Sequence, residues 1–438
     1  MHIGHEQRLE RITGQLQTRT SHRPLSLKKK TVSHMVPHPA NRKYDDDKLD
    51  ISDFDEILEI DTENRLCTAE PGVTFEKLVQ ATLPHNLVPA VVSEFRTITI
   101  GGAVAGCSIE SMSYKLGGFH DSCVAYEVVT AKGEVLHCSP DNEHGLTFQM
   151  MHGTFGTLGI ITRLTFRLVP AKPLVHVTYH KYSTLDAYTA AIWSHYEKQD
   201  LDFMDGIIHS PTEYVLSAGM FVDKAPYTHH YDWTRVYYQS TATREEDFLT
   251  TPDYFFRYNK GVTNVYPKTW PARFLFGRFT DSNTILKLAG TFRKIIPPVM
   301  IPITVDTFIP FSKMADFMTW FQQEIGHFPL WCVPYRLVRR YEWVSEDFLR
   351  DVDDDLFLDI AIYGMRRENP EHYHRKLEHK LAELGAIKTL ISTNLYTEEE
   401  FWNIWNKPNY DQVKQRTDPD NIFRNLYDKT CRAARGLA

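Results

Sequence analysis

The sequence predicts an α+β protein of two domains, on three observations. From residue 54 to 170, short apolar strands are set off by glycine turns. Beyond Pro170 the texture changes to longer strands alternating with amphipathic helices. The chain has 438 residues, 42% of them hydrophobic, more than one core ordinarily organises. The change near residue 172 divides a first domain, 1–172, from a second that begins at 173.

The elements follow in order. In "HEQRLERITGQLQTR", Leu9, Ile12 and Leu16 recur at helical spacing among charges, and a loop follows. "FDEILEID" reads as a strand, and "LCTAEPGVTFEKLVQATLP" as strand, turn and helix. Thr74 is its N-cap, Phe75, Leu78, Val79 and Leu83 its buried stripe, and Pro84 its stop. "CVAYEVVTAKGEVLHC" reads as two strands around Lys132-Gly133, and "GTLGIITRLTFRLVP" as a second pair ending at Pro170. In the second domain "PLVHVTYHKYS" alternates as a strand, "STLDAYTAAIWSHYEKQ" as a helix, and "DGIIHSPTEYVLSAGMFV" as two strands. "NPEHYHRKLEHKLAELGA" is a helix capped by Asn369, started by Pro370 and stopped by Gly385. "TEEEFWNIW" carries a capping box of Thr397 and Glu400.

Composition removes several function classes. The net charge is −7 and the one compact basic run is Lys28 to Lys30, which argues against a nucleic-acid partner. The six cysteines form no CxxC pair and no signal peptide is recognised, so a disulfide framework, a zinc knuckle or another metal site is not expected and an intracellular, reducing compartment is. No stretch is long and apolar enough to span a bilayer: the best, "IIPPVMIPITV" (295–305), carries three prolines. It suits instead an apolar lip resting on a membrane.

The chemistry gathers on two glycine-rich stretches, "GGAVAGCSIESMSYKLGG" (101–118) and "GTFGTLG" (153–159). Neither GxGxxG after a strand nor GxxxxGK[ST] is present, so the Rossmann and P-loop devices do not apply. Two glycine clusters in one domain suit either two backbone approaches to one long ligand or two tight hairpins.

"TITIGGAVAGCSIESMSYKLGGFHDSCVAYEVVTAKGEVLHCSP" resembles the flavin-binding core of the Δ24-sterol reductases, within the vanillyl-alcohol oxidase, or p-cresol methylhydroxylase (PCMH), class of flavoproteins. "HEQRLERITGQLQ", "PLWCVPYRL", "DLFLDIAIYG", "EEFW" and "YDKTCRAARG" resemble further segments of that family in the same order, across nearly the whole sequence. The resemblance implies a two-lobed PCMH-type FAD-binding domain plus an α+β substrate, or cap, domain over 173–405, with 406–438 ("DPDNIF" within it) returning to the FAD domain. It implies Thr99, Ile100, Gly101, Gly102, Gly106, Cys107, Ser108, Ile109, Glu110 and Ser111 as FAD lining, with Lys115 near the flavin pyrimidine, and Gly153, Gly156, Thr157 and Gly159 near the adenosine end.

One stretch departs from the family. Its first pyrophosphate loop carries glycine and arginine, whereas here "VSHMVPHPANR" puts Pro37 and Pro39 where amide donors are wanted, leaving Asn41 and Arg42 to hold the diphosphate. Pro37 forbids the helix on which His34 and His38 would pair on a metal; a histidyl-flavin link occurs in relatives of the class but not generally in the sterol reductases, so FAD is expected to be non-covalent.

The activity implied is NADPH-driven reduction of an isolated C=C bond in the aliphatic tail of a sterol or related triterpenoid. Such an alkene lacks a carbonyl and needs a proton as well as a hydride. Tyr363 and Tyr396 are candidate acids, and Lys414 a candidate cation beside the flavin. Trp331, Tyr335, Trp402 and Trp405 suit an apolar slot for a flat tetracycle. The expected setting is the cytoplasm or the surface of the endoplasmic reticulum. Two other readings stand beside this one: an FAD oxidase of an alcohol or carbohydrate, and a flavin-free binding protein that kept the fold.

Overall fold

A computed structural model describes residues 4–31, 40–232, 236–259, 261 and 303–437. The readings for His34, Pro37, His38 and Pro39, and for most of "IIPPVMIPITV", lie outside the described residues.

Two antiparallel sheets carry the fold. The first orders its strands Ile57–Asp61, Leu66–Ala69, Ile160–Pro170, Cys123–Val129 and Val135–Cys138, with Leu87–Pro89 pairing the far end of Ile160–Pro170. The second has eight strands in the order Glu246–Thr250, Leu174–Tyr182, Glu213–Val222, Phe203–Ser210, Leu330–Arg336, Leu356–Met365, Ile303–Pro310 and Ile387–Lys388. The backbone leaves the first sheet at Pro170 and enters the second at Leu174. The protein is therefore α+β, with one large antiparallel sheet in each domain and a two-stranded parallel pair, Leu25–Lys28 with Asp47–Asp50, added to the first.

Local chemistry explains most elements. The first helix, His5–Gln17, buries Leu9, Ile12 and Leu16, as their spacing predicts. Thr74 caps Phe75–Thr82 by accepting from the Lys77 amide, and the Thr397–Glu400 capping box starts Glu398–Ile404. Two expectations are corrected. Residues 153–170 give one strand, not a pair: the turns fall at Gly153, Gly156 and Gly159, all at positive φ, and nothing after Gly159 interrupts Ile160–Pro170. The run after Thr99 is not a turn but a short helix, Ile100–Gly106, ended by Cys107 in the left-handed region. A Cβ on Gly101 would lie 2.5 Å from Pro71 Cβ, so glycine there serves close packing.

Strand periodicity decides what each face of the large sheet does. Directly paired residues of antiparallel strands share a face, and side chains alternate along each strand. The pairs Ile207 with Trp331, Trp331 with Ala361, Asp306 with Ala361, and Asp359 with Phe308 and Val333 put these residues on one face, together with Asp205 and Tyr363. The opposite face, with Met204, Ile208, Cys332, Leu358, Ile360 and Ile362, packs with residues of the helices Leu185–Lys198, Met314–Glu324 and Pro370–Glu383. Ile207, Trp331, Val333, Ala361 and Tyr363 instead join the hydrophobic cluster of the first domain. The seam between the domains is thus the face of the large sheet that carries its buried acidic groups.

The carboxy-terminal segment closes on the first domain. Tyr410 donates to Thr157 Oγ1 (2.9 Å), the Ala131 amide to Thr417 O (2.8 Å) and the Leu25 amide to Ile422 O (2.8 Å).

Candidate active site and flavin cradle

The two glycine-rich segments touch. The Gly153 amide donates to Val104 O (3.3 Å) and the Phe155 amide to Ala105 O (3.1 Å). Ala105 to Ile109 keep some solvent access while Glu110 to Tyr114 are buried, so solvent-reachable space lies along the first part of the run. Glu94 and Lys429 are also partly accessible, and Lys29 is exposed.

Two polar clusters border it. The first lies at the seam. Arg257, fully buried, places Nη2 2.9 Å from Asp205 Oδ2 and 3.0 Å from Glu110 Oε1, joining the large sheet to the glycine run. Asp205 also accepts from Tyr258 Oη and Trp331 Nε1, each at 2.9 Å. Glu110 accepts from the Ser111 amide and hydroxyl, and Tyr254 Oη donates to Ser111 Oγ at 3.1 Å. On the same sheet face Tyr363 Oη donates to Asp306 Oδ1 at 2.5 Å, and the Thr307 amide to Asp359 Oδ1 at 3.0 Å. Burial pushes the Asp306 carboxyl up to about 6, against the Tyr363 and Thr389 hydrogen bonds. Burial and then the Asp306 charge push Asp359 well up. Burial, then Glu110 and Asp306, push Glu94 up to about 8.

The second cluster surrounds Cys107 and Gly153. His120 stands 5.1 Å from the His152 ring and 5.2 Å from Tyr341, which stacks on Trp343. Tyr126 Oη and His152 Nε2 are 2.9 Å apart, and Tyr341 Oη donates to Asp121 Oδ2 at 2.8 Å. Both ring nitrogens of His120, His152 Nδ1 and Trp343 Nε1 are buried without a hydrogen-bond partner. Burial holds both imidazoles neutral, so each offers one donor and one acceptor.

Near the expected diphosphate the positive groups are lysines. Lys429 donates to Phe155 O (2.6 Å), and burial together with Lys29 and Lys43 lowers its ammonium to about 7. Asn41 and Arg42 are engaged locally: Asn41 accepts from the Lys43 amide, and Arg42 donates to Gly436 O. Touching glycine segments, unsatisfied polar atoms and a lysine reaching Phe155 O suit an elongated anionic dinucleotide.

The sequence-predicted residues divide between these surroundings. Gly101 and Gly102 open the short helix, and Thr99 Oγ1 caps it by accepting from the Gly102 amide. Gly106, Cys107, Ser108 and Ile109 line the space, Glu110 and Ser111 reach the seam, and Gly153 contacts Cys107 and Trp343. Thr157 is buried and held by Tyr410 and Lys414. Three of the predicted residues have other partners. Lys115 donates to the carbonyls of Gln199 (3.1 Å) and Leu201 (3.4 Å) and ties the domains rather than facing a ring. Lys414 donates to Asp418, Thr157 O and Phe423 O, which consumes its three protons. Tyr396 is buried among Phe401, Trp405 and Lys388 and shares no hydrogen-bond partner with Tyr363. Trp402 and Trp405 pack with Phe401 against the first domain's core, whereas Trp331 is at the seam. Among the described residues no His, Cys, Asp or Glu group is placed to hold a metal ion.

The sequence reading missed Glu94, Asp205, Arg257, Asp306 and Asp359. Three carried a signal: "DFMDGIIHS", "ITVDTFIP" and "LFLDIAIYG" each set an aspartate inside an apolar strand, where an unpartnered charge is costly.

Comparison with known proteins supplies the cofactor. Residues 33–139 match the family model described as "FAD binding domain". The "Delta(24)-sterol reductase" of Homo sapiens is 26% identical over 404 residues, covering 87% of this chain and 77% of its own. The enzyme of the same name from Pisum sativum is 25% identical over 436 residues, covering 89% and 76%. This chain carries an FAD-binding domain and is similar to Δ24-sterol reductases over most of its length. Its first domain is the two-lobed PCMH-type FAD-binding domain, and the eight-stranded sheet forms the cap of this reductase-like architecture. The "Decaprenylphosphoryl-beta-D-ribose oxidase" of Mycolicibacterium smegmatis is 34% identical over 125 residues, 28% of this chain and 27% of its own. Likeness to the reductases therefore runs through the cap, whereas likeness to this oxidase covers about a quarter of the sequence.

Proposed function

We propose that the protein reduces an isolated C=C bond in the aliphatic tail of a sterol or related triterpenoid, with NADPH as hydride donor and non-covalent FAD. The names of the relatives that match across both domains support this class of reaction. When bound, FAD supplies hydride transfer to one alkene carbon. The observation that carries the reading is the Tyr363–Asp306 pair on the cap face turned toward the glycine segments. A hydride acceptor without a carbonyl needs a proton at its second carbon, and this phenol, hydrogen-bonded to a buried carboxyl, holds one. Arg257 fixes the glycine run against the sheet through Glu110 and Asp205, which sets the distance between the cofactor and the acid. Trp331 and the Tyr254 and Tyr258 rings give that side of the seam aromatic walls.

Among the described residues no helix is long and apolar enough to cross a membrane. A sterol partitions into bilayers, so the protein meets its substrate at a membrane surface, which co-sedimentation with sterol-loaded liposomes tests. For the reaction itself the test is anaerobic: FAD-loaded protein, NADPH and desmosterol, read by mass. A product two hydrogens heavier is expected. Unchanged sterol, with oxygen consumed on an alcohol or carbohydrate instead, makes the protein an oxidase; that second reading rests on the oxidase likeness within the FAD domain.

A further inference from the structure

The cap sheet sends one long irregular segment onto the first domain. Residues 337–355, between the strands Leu330–Arg336 and Leu356–Met365, contain no helix, and their one described bridge joins Val344 to Trp405. Connections longer than about 15 residues without secondary structure are uncommon in compact domains, and active-site lids are prominent among them. This one has a core of its own: Tyr341, Val344, Leu349 and Val352 cluster with Tyr335 and Phe357 at its base. The Leu337 amide donates to Asp355 O (2.7 Å), and Arg340 donates to Leu349 O (3.2 Å) and Val352 O. The two ends are thus clasped beside the strands, and the segment holds together as a body.

That body lies over the solvent-reachable part of the glycine run. Ile109 packs against its cluster. A Cβ on Gly153 would sit 3.4 Å from Cys107 Sγ and 3.6 Å from the Trp343 ring, so the indole stands beside both glycine segments. The rim is tied down by polar contacts. Tyr341 Oη donates to Asp121 Oδ2 (2.8 Å), Arg339 to Gln149 Oε1, and the Ser345 amide to Ile404 O (2.8 Å). The Asn406 amide donates to Trp343 O (3.0 Å) and Asn409 Nδ2 to Glu342 O (2.9 Å). Beneath the body, both ring nitrogens of His120, His152 Nδ1, Asp121 Oδ1 and Trp343 Nε1 are buried without a hydrogen-bond partner. His120 Nε2 stands 3.4 Å from Asp121 Oδ2, outside hydrogen-bond geometry. Water admitted by lifting the segment would satisfy these atoms, so the rim holds it shut against a penalty at the centre.

We propose that residues 337–355 are a lid over the flavin cradle, latched to the first domain by Tyr341 and Asp121, and that FAD enters and leaves when it lifts. This rests on non-covalent FAD and not on the reduction of an alkene.

The test follows FAD uptake and release by flavin fluorescence in the full-length wild type, Tyr341→Phe and Arg339→Gln. Tyr214→Phe is the control, since it loses one hydrogen bond, to Pro211 O (2.9 Å), elsewhere in the cap. Removing the latch favours the lifted lid equally with and without FAD inside. Association and dissociation should therefore both quicken by about 10-fold in Tyr341→Phe while Kd stays nearly constant, and Arg339→Gln should act in the same sense. Tyr214→Phe should match the wild type. A second readout needs no FAD: the Ser345 and Asn406 amides, whose acceptors lie across the rim, should exchange hydrogen faster in Tyr341→Phe by a similar factor. Faster release with unchanged uptake makes Tyr341 a plain binding contact and overturns the lid. Unchanged rates, or unchanged exchange at both amides, overturn the lid and leave the cofactor standing. A wild type that takes up no FAD overturns the cofactor reading and the lid with it.

Discussion

At the scale of single residues, the protein spends buried charge in a few places, and each predicts a pH dependence. His5 lies between Glu70 (2.7 Å) and Glu127 (2.8 Å), and the hydrogen bond to Glu127, then that to Glu70, raises its imidazole to about 9 against the cost of burial. A raised histidine stabilises the fold fully below its ordinary 6.5 and loses that contribution as pH climbs to about 9. Thermal unfolding should therefore lose about 2 kcal/mol across that window in the wild type, and little of it in His5→Gln. Lys429 behaves in the opposite sense. Its ammonium, lowered to about 7 by burial and by Lys29 and Lys43, regains its proton when a diphosphate arrives. FAD affinity, followed by flavin fluorescence quenching, should weaken as pH rises above about 7, and Lys429→Met should bind more weakly with that slope reduced. Little of this was legible in the sequence, because pairing across more than a hundred residues leaves no local pattern. The aspartates inside apolar strands were the exception.

At the scale of elements, the sequence was most readable where helices carry their own caps. Thr74, Thr184, Asn369 and Thr397 all accept from the amide three residues on, as their residue types predict. Reading failed where glycine has two meanings. A glycine run suits a turn, yet Ile100–Gly106 is helical, capped by Thr99, and only Gly101 is confined by its neighbour Pro71. Gly101→Val should cost about 2 kcal/mol or more in chemical denaturation, through the clash with Pro71. The helix Pro370–Glu383 is tied down differently. Its buried Glu378 takes the Lys388 ammonium at 2.6 Å and the Leu395 amide at 2.8 Å. Lys388→Met leaves Arg375, at 3.2 Å, as that carboxylate's remaining cation and should destabilise by about 3 kcal/mol, whereas replacing both Lys388 and Glu378 with apolar residues should cost less. If the single and double variants unfold alike, the pair contributes no such penalty.

At the scale of the whole molecule, one hydrophobic cluster runs from Phe75 and Phe166 in the first domain to Trp331, Val333 and Tyr363 on the cap sheet. The domains are thus joined by core as well as by the Arg257 bridge, and the proposed site lies in the join. That location could not be read from either domain's sequence alone, since it depends on which face of an eight-stranded sheet turns inward. Family resemblance supplied the cofactor and pointed to Tyr363, Tyr396 and Lys414 together, and the register of the strands puts Tyr363 on the face turned toward the first domain. The most direct measurement of this account splits the two halves of the reaction in Tyr363→Phe. FAD binding and bleaching by NADPH should match the wild type, while the return of flavin colour on adding the alkene should slow by about 10²- to 10⁴-fold. Return at the wild-type rate would contradict the assignment of the proton to the cap face.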